Sequence, residues 1–166
     1  MINLDPVRTL DAIGLVGCGS QKLSRPAPAR ELYTSPLFRK SLEYAERWCR
    51  VVYIISAALG LVELEREVRP YERRMGRKSE QDAWGARVAS LLIARHGRDV
   101  DYLVLAGADY ARPLATALCT HDGFREGGWR GVPRDRVLQP LRGLSMGRRL
   151  RRLNELLASE RREETP

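Results

Sequence analysis

Cysteine is scarce and unpaired in this sequence. Cys18, Cys49 and Cys119 are odd in number and widely separated, which fits neither a disulfide framework nor a CxxC zinc knuckle. Reduced thiols in a cytoplasmic setting are expected, with no metal site and no cofactor. Long apolar runs are missing as well. Val51-Val52-Tyr53-Ile54-Ile55 and Tyr102-Leu103-Val104-Leu105-Ala106 fall far short of the roughly 20 residues needed to cross a bilayer, so no membrane partner is expected. The stretch Met1-Ile2-Asn3-Leu4-Asp5-Pro6 has no basic segment followed by an apolar one, and no secretory signal is read there. Acidic residues fall short of basic ones, 21 against 29, for a formal net charge of +8. That excess favours a polyanionic partner through phosphate neutralisation and counterion release. It is also what an arginine-rich genome produces with no partner at all.

What is present suffices for one folded domain. A chain of 166 residues normally buries about two thirds of the surface its unfolded form would expose. With 43% hydrophobic and 30% charged residues, global disorder is excluded. Residues 1–160 read as a single α/β domain, expected to act as a monomer, and the polar residues 161–166 as a frayed tail.

Ala12 to Cys18 is a short apolar run ending in a Gly/Ser cluster, a buried first strand that delivers Cys18 to a loop. Ser35 looks like an N-cap with Pro36 at the first helical position, and Leu37, Phe38, Leu42, Ala45 and Trp48 recur at helical spacing. Residues 51–56 read as a second strand ending at Ser56. The charged stretch Glu63 to Lys78 has no clear period and reads as irregular structure or a short helix. A second long helix begins at Ser79-Glu80-Gln81-Asp82, with Trp84, Val88, Leu91 and Leu92 facing inward. Tyr102 to Ala106 is a third strand, and Gly107-Ala108-Asp109-Tyr110 leads into a further helix. Residues 123–134 read as a Gly/Arg-rich loop and Arg136 to Gln139 as a fourth strand. A terminal helix from about Ser145 carries the apolar stripe Met146, Leu150, Leu153 and Leu157. Strands alternating with helices imply a three-layer α/β/α fold with a mostly parallel four-stranded sheet. Ligands of such sheets sit beyond the carboxyl ends of the strands.

Gly17-Cys18-Gly19-Ser20-Gln21-Lys22 follows a strand and is glycine-rich, but it lacks the Gly-Lys pair of a phosphate loop and the third glycine of a dinucleotide fingerprint. What remains is a tight turn whose N–H groups and Lys22 ammonium suit an anion or a polarised carbonyl. A plain turn with a surface lysine is the other reading. Cys18 beside Lys22 has the makings of a thiolate nucleophile, yet a small structural cysteine is favoured. Pro70-Tyr71-Glu72 lies among Arg66, Arg69, Arg73, Arg74, Arg77 and Lys78, an aromatic among cations suited to stacking a base while phosphates are paired. A solvated charged loop has the same composition. The terminal helix carries Arg148, Arg149, Arg151 and Arg152 opposite its leucines, either a phosphate-tracking face or a solvated one.

On these residues the chain resembles a family of small bacterial and phage-associated domains of unassigned function. The shared elements are Cys18-Gly19-Ser20-Gln21-Lys22, the run Ala29 to Phe38, Ser56-Ala57-Ala58-Leu59-Gly60-Leu61 and Pro70-Tyr71-Glu72. Ser56 to Leu61 followed by Pro70-Tyr71 and Met75 is also similar to the peroxide-stress DNA-binding YaaA family. Cys18 to Lys22 and Ser56 to Leu61 resemble elements of the α/β domain of archaeosine synthase, which implies a uracil-DNA glycosylase-like fold. The chain departs from the uracil enzymes in lacking a His-Pro-Ser motif.

The resemblance and the residue reading lead to one expectation: a DNA glycosylase that flips and excises a modified base, in the setting of anti-phage defence. Glu72 or Asp109 would be the catalytic carboxylate, with Lys22 on the leaving base. Cys18, Gly19, Tyr33, Phe38, Ser56, Tyr71 and Tyr110 would form the base pocket. Arg73, Arg74, Arg148, Arg149 and Arg152 would hold DNA phosphates. A DNA-binding protein of YaaA type without catalysis, and a base-modifying enzyme in the archaeosine-synthase manner, are the alternatives.

Overall fold

The computed structural model describes residues 11–120 and 131–163, with side chains to Ser159. His121 and most of the expected loop at 123–134 lie outside these residues, as do 164–166 of the expected tail.

The centre of the fold is β1 (Ala12–Gly17), buried on both faces. It pairs in parallel with β3 (Cys49–Ser56) on one side and β6 (Tyr102–Leu105) on the other. The sheet continues to β7 (Val137–Leu138), parallel to β6, and to β4 (Gly60–Glu63), antiparallel to β3, in the order β4-β3-β1-β6-β7. It therefore has five strands where four were expected. The extra strand is the return arm of a β3–β4 hairpin. Leu61 and Val62 form too short an apolar run to read as a strand alone, and pairing with Ile55 and Ile54 makes them one.

Helices cover both faces. On one lie α3 (Lys78–His96) and α4 (Ala108–Thr120), whose Trp84, Val88, Leu92, Leu114 and Leu118 pack on Ile13, Leu15, Tyr53, Tyr102 and Val104. On the other lie α1 (Ala29–Leu32), α2 (Pro36–Trp48) and α5 (Met146–Glu163), with Leu32, Phe38, Leu42, Leu153 and Leu157 against Val16, Ile54, Leu103 and Leu105. This is the three-layer α/β/α arrangement that alternating elements imply. Alternate residues of each strand supply the two cores, because successive side chains point to opposite faces.

Local chemistry explains several boundaries. The Ser35 hydroxyl accepts from the Phe38 amide at 3.2 Å and Pro36 opens α2, as the cap signal predicts. Gly97, at φ 84°, closes α3 in a conformation that L side chains rarely adopt. Helices α3 and α4 cross closely at Gly85, where a Cβ would come within 2.6 Å of the Pro113 carbonyl oxygen.

Three expectations of burial or extent change. Leu91 is 42% exposed, since one helical step turns it away from the sheet that Leu92 faces. Met146 is 73% exposed; the buried stripe of α5 begins with half-buried Leu150 and becomes complete at Leu153 and Leu157, where the helix packs on α2. Helix α5 also runs to Glu163, into the stretch expected to fray.

Candidate functional site

Because β1, β3 and β6 run parallel, Cys18, Ser56 and the Gly107–Tyr110 segment emerge at one end of the sheet. Two connections are laced together above that end. Gln21 and Leu23 bond through their backbones to Thr34 and Leu32, which sets Lys22 opposite Tyr33. Short strands β2 (Ala27–Pro28) and β5 (Glu67–Val68) pair antiparallel, extended by Ala29 N–H to Arg66 O at 2.8 Å and Arg30 N–H to Leu64 O at 3.0 Å. The charged stretch after β4 is thereby tied down, and Tyr71 is carried onto the end of β3.

The result is a connected set of hydroxyls. Ser56 Oγ lies 2.6 Å from Tyr71 Oη, and Tyr71 Oη lies 2.7 Å from Tyr33 Oη. Ser56 Oγ already accepts from the amides of Ala58 and Leu59 at 3.2 and 3.1 Å. With both lone pairs used, its own proton goes to Tyr71. Burial raises the Tyr33 phenol pKa far above its usual value, and its bond to Tyr71 raises it further, as befits a donor. Tyr71 is also raised, first by burial and then by the nearby Cys18; the bonds it accepts from Ser56 and Tyr33 offset part of that rise. Its remaining proton faces Cys18. Cys18 Sγ in turn lies 3.5 Å from Tyr110 Oη, whose pKa is raised by burial, then by Cys18 and Tyr71, and to a lesser extent by the Asp109 charge. All three phenols are thus neutral donors throughout the physiological range.

Lys22 caps this set. Its Nζ stands 4.7 Å from the Tyr71 ring centroid and 5.7 Å from that of Tyr33, within cation–π range. Tyr33 is only 1% exposed and rests on the Phe38 ring at 5.1 Å. Tyr33, Phe38 and Ser56 therefore form the back wall, while half-buried Cys18, Gly19, Lys22, Tyr71 and Tyr110 form the mouth. Trp84 supports the wall from α3. Its indole N–H donates to the Ser56 carbonyl at 2.9 Å and its ring meets Tyr110 edge-on at 5.4 Å. The sequence reading places Trp84 only in the core; the signal for more is that a buried indole N–H needs an acceptor, and a strand end offers one.

The remaining candidates lie outside the hydroxyl set. Asp109 is exposed in the first turn of α4, near enough for its charge to act on Tyr110. Glu72 is exposed beside Tyr71. Arg73 is paired with Glu80, Arg74 is exposed, and Arg152 stands 3.8 Å from Glu155 on the outer face of α5 with exposed Arg148. Arg149 differs from these. Its Nε donates to the Leu144 carbonyl at 2.8 Å, and its Nη1 lies 3.2 Å from where a Gly107 Cβ would stand. It borders a groove of about 530 Å³ on the far side of the Ala106–Ala108 loop from the tyrosines. No group of three or more metal-ligating side chains occurs among the described residues, and no described helix is long and apolar enough to cross a membrane.

No curated protein and no solved structure matches this chain. A family defined only as a family of unknown function, DUF6884, matches residues 13–155, and the chain belongs to that family.

Proposed function

We propose that this protein is a DNA glycosylase that excises a modified nucleobase, and that the strand-end cluster of Lys22, Tyr71, Cys18 and Tyr110 is its base pocket. The observation that carries this reading is the Lys22 ammonium over the Tyr71 ring, beside a Tyr71 hydroxyl that accepts from Ser56 and Tyr33 and turns its own proton toward Cys18 at the mouth. Cleavage of an N-glycosidic bond sends the bonding electron pair out with the base. That charge needs preorganised donors, and a phenol and an ammonium in a partly dry site supply them. The sugar is left with oxocarbenium character, which a carboxylate stabilises while it takes a proton from the attacking water. Of the two candidates, Asp109 is assigned this role because its charge reaches the cluster through Tyr110. Water oxygen bonds to the sugar, and the base leaves carrying a proton from the donor side. Tyr71 is the stacking surface for the flipped base, since Tyr33 is covered.

The net charge of +8 fits a polyanionic substrate. The motif resemblance to the YaaA family and the archaeosine synthase domain, with its uracil-DNA glycosylase-like fold, points the same way. Phage DNA carrying modified bases is the substrate class proposed, in anti-phage defence.

The test is incubation of the purified protein with DNA from phages of differing base modification, followed by alkali and nucleoside mass spectrometry. Abasic sites and a released base support excision. DNA that is bound but chemically unaltered overturns it in favour of a non-catalytic DNA-binding protein. A mass added to a retained base assigns base modification instead.

A further inference from the structure

The groove beyond the Ala106–Ala108 loop is built from three parts of the chain: the outward face of α4, the β7 strand with the turn after it, and Arg149 of α5. Its polar lining is one-sided. Arg112, Arg134, Arg142 and Arg149 face it, and no carboxylate lines it among the described residues. Among the described residues, Arg112, Arg134 and Arg142 have no side-chain hydrogen-bond or ion-pair partner. Guanidinium groups gathered around one depression repel each other, and an anion between them relieves that repulsion. The Arg134 charge is felt inside, where it opposes the effect of burial on the Cys119 thiol.

The floor is the other half of the observation. Ala108, Ala111 and Ala115 present only methyl groups along α4, and Val137 and Leu141 complete an apolar surface opposite them. An inorganic anion has no use for such a floor. A volume of about 530 Å³ lies within the roughly 300–1,000 Å³ of sites that take small organic ligands. A flat apolar body with a phosphate at its edge matches both halves: the body covers the alanine surface and the phosphate is forked by guanidinium groups.

We propose that this groove is a nucleotide site, in which a phosphate is held by Arg112, Arg134 and Arg142 and the attached nucleoside lies on the Ala111–Ala115 floor. The ligand chemistry is the same whether the nucleotide is free or is one unit of a DNA strand. A strand has one further feature in its favour, because Arg149 and Gly107 join the groove to the loop that carries Asp109 and Tyr110. The site does not depend on excision at the tyrosine cluster and is equally expected of a protein that only binds DNA.

Calorimetric titration of the full chain with a deoxynucleoside monophosphate, a short single-stranded oligodeoxynucleotide and inorganic phosphate tests the assignment. Two variants are compared with wild type, Arg112→Ala with Arg142→Ala, and Ala115→Leu, with Arg87→Ala on α3 as a control outside both sites. Arg87, Arg112 and Arg142 are exposed and Ala115 is half-buried, and circular dichroism confirms that the variants fold. The expected result is at least about tenfold weaker nucleotide binding in the arginine variant, a similar loss in Ala115→Leu, and unchanged binding of the monophosphate in Arg87→Ala. Losses seen with the monophosphate assign a free nucleotide; losses seen only with the oligonucleotide assign a strand. Undiminished binding of both ligands in the two groove variants overturns the proposal. So does inorganic phosphate binding as tightly as the nucleotide, which would leave only an adventitious anion. Base release is not read in this experiment, so its failure and the failure of the glycosylase reading are separate results.

Discussion

Ser56 donates its hydroxyl proton to Tyr71 across 2.6 Å, because the amides of Ala58 and Leu59 already occupy its lone pairs. The direction of that one bond decides which proton the cluster offers to a ligand. Tyr71→Phe removes the shared acceptor and leaves the buried hydroxyls of Tyr33 and Ser56 unpaired. It is expected to cost about 1–3 kcal/mol of stability, read as a lower Tm. Under the proposed function it also lowers single-turnover excision by about 100-fold, the usual loss for one donor to a developing anion. A variant with wild-type rate and reduced Tm would show the hydroxyl to be structural only.

The two carboxylates separate by their reach. Asp109→Asn is expected to reduce excision by about 100-fold or more, in the range of a positioned acid or base, with little change in DNA affinity. Glu72→Gln is expected to change the rate less than about threefold, on the same scale, because its charge does not act on Tyr33, Tyr71 or Tyr110 as that of Asp109 acts on Tyr110. The reverse ranking, measured at saturating enzyme, transfers the role to Glu72.

Stability should respond to alkaline pH in a defined sense. Burial raises Tyr33, Tyr71 and Tyr110 above the ordinary phenol value of 10.0, and pushes Tyr102 up to about 12. Above the ordinary value the unfolded chain loses protons that the folded chain keeps. The stabilisation is therefore complete below that pH and is lost as pH rises through the folded values. Urea midpoints should hold steady up to about pH 10 and then fall. The fall should be shallower in Tyr71→Phe, and equal slopes in both proteins would mean that the cluster is not the source.

The α3–α4 crossing gives a prediction independent of function. Gly85→Ala places a methyl group 2.6 Å from the Pro113 carbonyl oxygen, and backbone is what must move. Overpacking of this kind costs about 1–3 kcal/mol, so a Tm within 1 °C of wild type, roughly the error of such a melt and below the 2–4 °C expected per kcal/mol, would mean that the helices cross more loosely.

Much of the site was legible from strand ends alone. Apolar runs that stop at Cys18, Ser56 and Gly107 mark where parallel strands release their loops, and the residues there do gather. The second layer was not legible. Nothing local distinguishes Tyr33, which is sealed in, from Tyr71, which opens to the mouth, because the difference arises from which connection lies beneath the other. The arginine groove was hidden for a similar reason. Arg112, Arg134, Arg142 and Arg149 are spread over three segments, and only Arg149 was marked out, as part of the arginine face of the terminal helix.

The layered α/β fold is written in the apolar residues, whose period alternates between strand and helix, and the positive charge in the residue counts. Tertiary structure decided the fifth strand, the exposure of Met146 and Leu91, and the pairing of the 21–34 connection with the 64–71 connection. Those depend on contacts between residues far apart in the chain, whose free energy no local pattern encodes. The same pairing turns Ser56, Tyr71 and Tyr33 from three separated hydroxyls into one hydrogen-bonded wall.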